Sequence, residues 1–444
     1  MSIAPPNGSD LESLYAEHLD DYLARFDKVC EETGTDGVVI HAGSLKTAFL
    51  DDKTYPFIVN PHFNSLVPVT DNPDCFVVLR SGETPRLLFH QPADYWHKPA
   101  ALPNDFWTAR WDIHPIPSAR DASNLVGDPT RLQFIGEDTA LAHEWGFHLA
   151  NDERALAQLH WQRGAKTRYE VECITAATAA ASRGHLAAAA AFAEGQSEFE
   201  IQHRYLAATG HRETETPYTS IVGMNENCGV LHYQHYEHAP PSPVRSMLID
   251  AGASCRGYAS DITRTYAQNQ GLFADLVNAM DEAQQAIIDD IEPRMVYSDL
   301  HDRMQHRLAT VLVDFKLVSM SADAMVETDI PFTFMPHGLG HFLGLQTHDV
   351  GGHQQSASGG TTLPPDNAPA LRLTRTIDDG QVFTIEPGLY FIPLLLDKLR
   401  DGKHQSDVNW TLIESLLPCG GIRIEDNVHI RDGSVINLTR PYLP

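Results

Sequence analysis

Apolar residues recur at helical spacing between residues 11 and 33, where Leu14, Tyr15, His18, Leu19, Tyr22, Leu23 and Phe26 mark an amphipathic helix. Short β-like runs follow at Gly37–His41, Cys75–Arg80 and Arg86–His90, with Pro and Gly between them. Strands alternating with helices predict an α/β first domain. The texture changes near 155–167. There TRYE, Thr167 to Glu170, fits a capping box and opens an Ala-rich run predicted helical to about Phe192. Ala is the best helix former, so a packed helix explains the run better than low complexity does. SEFEIQHRYLAATG predicts a second helix stopped by Gly210, and two further helices are expected over 271–290 and 296–315. From Tyr218 onward the rest reads as short strands and turns. All the candidate chemistry falls in this part, which predicts an accessory domain over 1–160 and a catalytic domain over 161–444.

A length of 444 residues agrees with two domains or more. The hydrophobic share of 42% and charged share of 20% are those of a soluble globular chain. A formal net charge of −27 argues against nucleic acid as a partner, because phosphate binding needs clustered Lys and Arg. Six scattered cysteines with no CxxC suit free thiols in a reducing compartment. The N-terminus has neither a basic start nor an apolar core, so no secretory signal is expected, and no run approaches the ~20 apolar residues of a membrane span. The expected location is the cytoplasm.

Acidic residues in apolar strands carry the chemistry. RSMLIDAGASCRGYASDITRTY, residues 245–266, reads as a hairpin with an apolar strand ending at Asp250 and an alternating strand through Asp261. Centred between Cys255 and Arg256, it sets Asp250 directly opposite Asp261, with Cβ atoms roughly 4.5–5.5 Å apart. Carboxylates that close repel unless they share a proton or a cation. QVFTIEPGLYF sets Glu386 in a second strand and GIRIEDNVHI sets Glu425 in a third, with Arg423 on the same face as Glu425. PHGLGHFLGLQTHD adds His337, His341 and His348 among Gly338, Gly340 and Gly344, a composition expected where backbone packs closely around a site. Four carboxylates and one neutral imidazole carry a charge of about −4, which two divalent cations cancel. Oxygen donors with a single nitrogen suit Mn²⁺, with Co²⁺ or Zn²⁺ as alternatives. Two such ions bridging a water make a hydroxide nucleophile, which is hydrolysis chemistry.

At these residues the sequence resembles the creatinase/aminopeptidase superfamily of "pita-bread" metallopeptidases. The words LIDAG, GYASDITRT, PHGLGHFLGLQTHDVGG, TIEPGLY and GIRIEDN occur in the family's order. Within it the chain is most similar to bacterial prolidases (Xaa-Pro dipeptidases), a similarity extending through FLDDKTYPF, VNPHF and DYWHKP over nearly the whole chain. The resemblance implies an N-terminal α/β creatinase-like domain followed by an α+β pita-bread catalytic domain. Asp250 would chelate one metal, His341 and Glu386 the other, and Asp261 and Glu425 would bridge both. Glu386 would also handle the proton of the attacking water. His348 would steady the tetrahedral intermediate, His232 and His337 would line the substrate pocket, and Tyr218 would stand near the metals. Arg423 would grip the substrate carboxylate. Asp52 resembles a residue that reaches the partner's active site in a homodimer.

The implied substrate is a dipeptide with C-terminal proline, whose tertiary amide offers no N–H to a protease. Some relatives are called organophosphorus acid anhydrolases, which implies a side activity on organophosphorus esters and fluorides. The competing reading is an aminopeptidase P acting on longer X–Pro peptides, since it shares all five ligands. A binding module without metals would show broken ligand positions, and none is broken here. Three smaller expectations complete the reading. His232, His235 and His238, three apart in LHYQHYEH, are taken as strand and loop, with only His232 near the metals. Cys255 is taken as an inert thiol, and His301 and His306 as solvated on a charged helix.

Overall fold

In the computed structural model residues 8–444 are described; the first seven, on which the expectation of no secretory signal partly rests, lie outside them. Helix α1 (Gly8–Thr33) buries Tyr15, Leu19, Tyr22 and Phe26 against a mixed six-stranded sheet. That sheet comprises β1 (Gly37–His41), β2 (Phe76–Arg80), β3 (Arg86–His90), β4 (Asp112–Ile116), β5 (Leu132–Ile135) and β6 (Leu149–Ala150), in the order β4-β3-β2-β1-β5-β6. Successive residues of β1 serve opposite faces. Val38 and Ile40 join the α1 side, while Val39 joins the side covered by α3 (Ala119–Val126) and α4 (Thr139–Trp145). Both faces are covered, so all five residues of β1 are buried. The short α2 (Pro61–Asn64) and α5 (Glu153–Arg163) complete this part.

The expected capping box is present: Thr167 accepts from the Glu170 N–H, and the Glu170 side chain accepts from the Thr167 N–H. It opens α6 (Arg168–Ala193), which packs along α7 (Glu198–Thr209). Gly210, at φ 75°, ends α7 in the left-handed conformation that favours glycine. Against these helices lie β7 (Ile221–Met224), β8 (Ser246–Asp250), the two-residue strands β9 (Ser254–Cys255) and β10 (Tyr258–Ala259), and β11 (Thr263–Ala267). Helices α8 (Leu272–Asp289) and α9 (Tyr297–Asp314) follow, then an exposed hairpin of β12 (Gln354–Ser356) and β13 (Gly359–Thr361). The chain closes with β14 (Val382–Ile385), β15 (Gly388–Tyr390), β16 (Gly421–Arg423), β17 (Asp426–Arg431) and β18 (Ser434–Asn437). The sheets run β11-β8-β7, β14-β17-β18 and β15-β16.

Three expectations are corrected. The hairpin turns at Arg256–Gly257, one residue later than predicted, because Cys255 pairs with Tyr258. Both turn residues have positive φ, 52° and 86°, the signature of a type I′ turn, which wants glycine second. Thr263, not Asp261, therefore stands opposite Asp250. Glu386 and Glu425 do not lie inside continuous strands. Each occupies a break where the chain leaves one sheet for another, between β14 and β15 and between β16 and β17. Finally, His301 is fully buried, unlike the exposed His306. It shares the inward face of α9 with Tyr297, Leu300 and Met304 and packs near Phe332, so burial pushes its imidazole down to about 4.

Candidate metal centre

β8 delivers Asp250 at its last residue, and the link between β10 and β11 delivers Asp261. The Tyr218 hydroxyl spans them, 2.8 Å from Asp250 Oδ1 and 2.5 Å from Asp261 Oδ1. His341 arrives on the Gly-rich segment, whose backbone runs tight against β14. A Cβ on Gly340 would stand 2.1 Å from the Thr384 carbonyl oxygen and 2.3 Å from the Tyr297 hydroxyl. This close approach is what the glycines permit. The Glu386 N–H donates to Leu339 O (2.8 Å) and the Glu425 N–H to Thr263 O (3.0 Å), fixing the two strand breaks over the aspartates.

Among the described residues, Asp261, His341 and Glu425 form the one group of three whose ligand atoms lie within 4.8 Å of one another. His341 Nε2 is 3.4 Å from Asp261 Oδ2 and 3.6 Å from Glu386 Oε1. Its Nδ1 lies 3.0 Å from Phe342 O. A carbonyl only accepts, so Nδ1 carries a hydrogen and Nε2 faces the acids. The fourth acid, Asp250, takes its other hydrogen bond from Arg423 Nη2 at 2.6 Å. Burial, and then mutual repulsion, raises the carboxyl group of Glu386 to about 7 and holds that of Glu425 well above the usual range. Glu425 Oε1 is buried without any hydrogen-bond partner. An orphaned carboxylate oxygen amid acids, facing an imidazole nitrogen, fits hard divalent cations.

The remaining candidates surround this cluster unevenly. His348 sets its ring edge-on to His341 at 4.4 Å. Burial, followed by the charges of His341, Arg372 and His232, pushes its imidazole down to about 3. His337 is likewise held down to about 3 by burial and then by Arg423. Its Nδ1 donates to Gly338 O (2.8 Å), so its Nε2 accepts from the Tyr390 hydroxyl (3.0 Å). Arg423 is 5% exposed, and its donors go to Asp250, to Tyr390 (2.8 Å) and to Thr263 Oγ1 (3.3 Å). Asp52 is exposed and lines neither of the cavities at this centre. His235 and His238 join no metal-holding group among the described residues. Cys255 is half-buried, and a hydrogen bond from Cys173 and then the Arg256 charge lower its thiol below the ordinary value.

Two cavities reach the centre. One, about 1190 Å³, passes Tyr218, Arg256 and the stacked rings of His62 and His160. The other, about 560 Å³, exposes His341, His348 and Arg372. Arg372 escaped notice in the sequence, as did Thr263 and Tyr390. Thr263 donates to Glu425 Oε2 at 2.7 Å while it accepts from Arg423. A signal existed for two of them. Thr263 is two residues beyond Asp261 in a run whose sequence alternates like a strand, and Arg372 lies exposed between the buried Leu371 and Leu373.

The chain matches two family models, the N-terminal domain of Xaa-Pro dipeptidase over residues 13–161 and metallopeptidase family M24 over residues 172–432. It is 46% identical over 435 residues to a Xaa-Pro dipeptidase of Pseudoalteromonas haloplanktis, covering 98% of this chain and 99% of that one. It is also 46% identical to a Xaa-Pro dipeptidase of Aeromonas hydrophila, over 97% of this chain and 99% of the relative. Among solved structures, Pseudomonas aeruginosa aminopeptidase PepP superposes with a TM-score of 0.72 at 22% identity, over 96% and 95% of the two chains. A zinc-substituted Escherichia coli aminopeptidase P in complex with product gives 0.71 at 20% identity, over 95% of each. At such identity the likeness is one of fold.

Proposed function

Because the chain belongs to metallopeptidase family M24 and to its Xaa-Pro dipeptidase members, we propose that it hydrolyses the X–Pro bond of dipeptides with C-terminal proline. The observation that carries the chemistry is the clustering of Asp261, Glu425 and His341 Nε2, with Glu386 Oε1 3.6 Å from that nitrogen, Asp250 joined to Asp261 through the Tyr218 hydroxyl, and Glu425 Oε1 unpartnered. Asp250, Asp261, His341, Glu386 and Glu425 would hold two divalent cations, Mn²⁺ by choice and Co²⁺ or Zn²⁺ as alternatives. Bound there, the ions would activate a water and polarise the scissile carbonyl. Glu386, at 18% the most exposed of the four carboxylates, is the one that can exchange a proton with that water. It would pass the proton to the proline nitrogen, which must be protonated to leave as an amine. His348, held neutral, keeps an N–H for the carbonyl oxygen as it gains charge. His232 and His337 would flank the bound dipeptide, and Tyr218 would hold Asp250 and Asp261 in register.

Each of Arg423's three nitrogens donates within the protein, and its charged contact is with Asp250, so we assign it the orientation of Asp250. The substrate carboxylate then falls to Arg372, exposed beside His348 in the smaller cavity. Charge-assisted hydrogen bonds to a carboxylate are worth about 1.5–3 kcal/mol. Arg372→Ala should raise KM for Ala-Pro roughly 10- to 100-fold with kcat little changed, whereas Arg423→Ala should lower kcat and metal content. An unchanged KM in Arg372→Ala returns the carboxylate to Arg423.

The decisive assay compares Ala-Pro, Ala-Pro-Gly and Ala-Ala with metal-stripped protein, with and without Mn²⁺. Mn²⁺-dependent cleavage of Ala-Pro alone is expected. Preference for the tripeptide would make the protein an aminopeptidase P, and inertness with every divalent ion would leave a binding module. The same preparation tests the organophosphorus side activity. Among the described residues no helix is long and apolar enough to cross a membrane, and the six cysteines are free. Those thiols support a cytoplasmic location. A homodimer is read from the family resemblance, with Asp52 on a segment whose Phe49, Leu50 and Ile58 are all more than 80% exposed.

A further inference from the structure

His232 sits on a stretch of chain that has almost no regular structure. Beyond the single turn Asn225–Gly229, residues 230–245 form neither helix nor strand. Such a segment needs side chains to fix it, because no ladder of backbone hydrogen bonds does so. The groups that fix this one meet at Glu198, the first residue of α7 and only 1% exposed. Its Oε1 accepts from the Met224 N–H (2.7 Å) and from Asn227 Nδ2 (2.9 Å). Its Oε2 accepts from the Tyr233 hydroxyl (2.7 Å) and from the Glu237 N–H (2.8 Å). The bond is returned at the helix start, where the Phe199 N–H donates to Glu237 O (3.2 Å).

We infer that Glu198 is a positioning residue, whose buried carboxylate holds the 224–237 segment so that His232 faces the site. The inference rests on the reading of His232 as a residue that meets substrate. Tyr233, bound to Glu198, is the immediate neighbour of His232, and its ring is buried while His232 is exposed toward His348. Tyr233 follows directly on the turn that carries His232, so fixing the backbone at Tyr233 fixes where that turn presents His232. The negative charge is accommodated at the N-terminus of α7, where the helix dipole and four donors receive it.

The chemistry explains why a carboxylate and not an amide stands here. Each oxygen takes two donors, so the group must accept everywhere. In Glu198→Gln the amide nitrogen would face either the Met224 or the Glu237 backbone N–H, whichever way it turned. Asn227 can flip and Tyr233 can rotate its hydrogen, but a backbone N–H can do neither. One donor is left opposed to another, and the segment must shift to relieve it.

The test is a double-mutant cycle on the metal-loaded enzyme, with Ala-Pro hydrolysis, bound metal and Tm recorded for each variant. A misplacement of about an ångström in a positioned group costs up to roughly 100-fold. Glu198→Gln should therefore lower kcat/KM by roughly 10- to 100-fold with metal content unchanged. In the His232→Ala background the same substitution should cost less than about threefold, because the residue it acts through is gone. Tyr233→Phe, which keeps the carboxylate and removes one donor, guards against loss of folding in Glu198→Gln. It should show a smaller fall with the same dependence on His232. Equal losses in both backgrounds, or no loss from either variant, overturn the inference. If His232→Ala alone leaves kcat/KM intact, the reading of His232 fails first and takes the inference with it, a result separate from additivity.

Discussion

Glu425→Gln should lower Ala-Pro hydrolysis by about 1,000-fold or more while raising the melting temperature of the metal-free protein by a few degrees. The two effects share one cause. Glu425 is 2% exposed, one of its oxygens is orphaned, and Asp261, Glu386 and Asp250 surround it. Burial and these like charges raise its carboxyl well above the ordinary 4.5. An acid whose pKa is raised on folding destabilises the fold once pH exceeds the unfolded value, because the unfolded chain can then release a proton that the folded one must keep. The metal-free wild type should therefore lose stability as pH climbs above about 4.5, through the range where Glu386, raised to about 7, behaves alike. Glutamine has no such proton. The gain in Tm should be near zero at pH 4.5 and grow toward pH 8, while metal binding and turnover vanish. A variant that is less stable than metal-free wild type at pH 8, or one that still turns over, would show that Glu425 is not part of a frustrated metal cage.

Asp349→Ala is expected to cost about 3–5 kcal/mol, among the largest losses a single side chain can cause. Asp349 is 1% exposed by side chain and answers two cations, Arg163 at the end of α5 and Lys166, the latter at 2.9 Å. Those cations are 4% and 1% exposed, so removing the carboxylate strands two charges away from water. The opposite sign holds here from that at Glu425. Arg163 and Lys166 outweigh burial and depress the Asp349 carboxyl below the usual range. Its contribution is present above about 3.8 and is lost only as pH falls below that value. Urea denaturation at pH 7 should show the full loss, and the gap between variant and wild type should narrow in acid. Asp349 follows His348 directly, so activity should fall even where the variant remains folded. A change below about 1 kcal/mol would mean that solvent already reaches the triad.

Much of this architecture follows from local pattern. The faces of α1, the capping box at Thr167, the Gly stop after α7 and the strands over 37–41 and 86–90 are all set by residues a turn or two apart. The acids in apolar strands could also be picked out, because buried charge in such surroundings is costly without a purpose. What escaped depended on partners distant in sequence. Glu386 and Glu425 sit in strand breaks because the chain changes sheets there, and nothing in TIEPG or RIEDN alone says which sheet comes next. His301 looked solvated in HDRMQHR because its charged neighbours dominate the composition, although its helical face belongs to Tyr297 and Met304. Nothing in SEFEIQ marks Glu198, because the groups that meet on it, from Met224, Asn227, Tyr233 and Glu237, come from a distant stretch of chain. The turn at Arg256–Gly257 was placed one residue early, and that slip alone changes which residue opposes Asp250.

The five residues proposed to hold the ions come from positions 250, 261, 341, 386 and 425, so that proposed cage would be complete only when the last of them has docked beside Thr263. On the ribosome the six-stranded N-terminal sheet, finished by residue 150, can fold before any of the five has been made, and a chain grown just past residue 261 still lacks three of them. A nascent chain that meets an ion at that stage offers it two aspartates, a weak and readily exchanged hold. Tight binding must wait for Glu425. The ions would thus be selected by the finished protein from those around it, and the enzyme should emerge from synthesis folded first and active second.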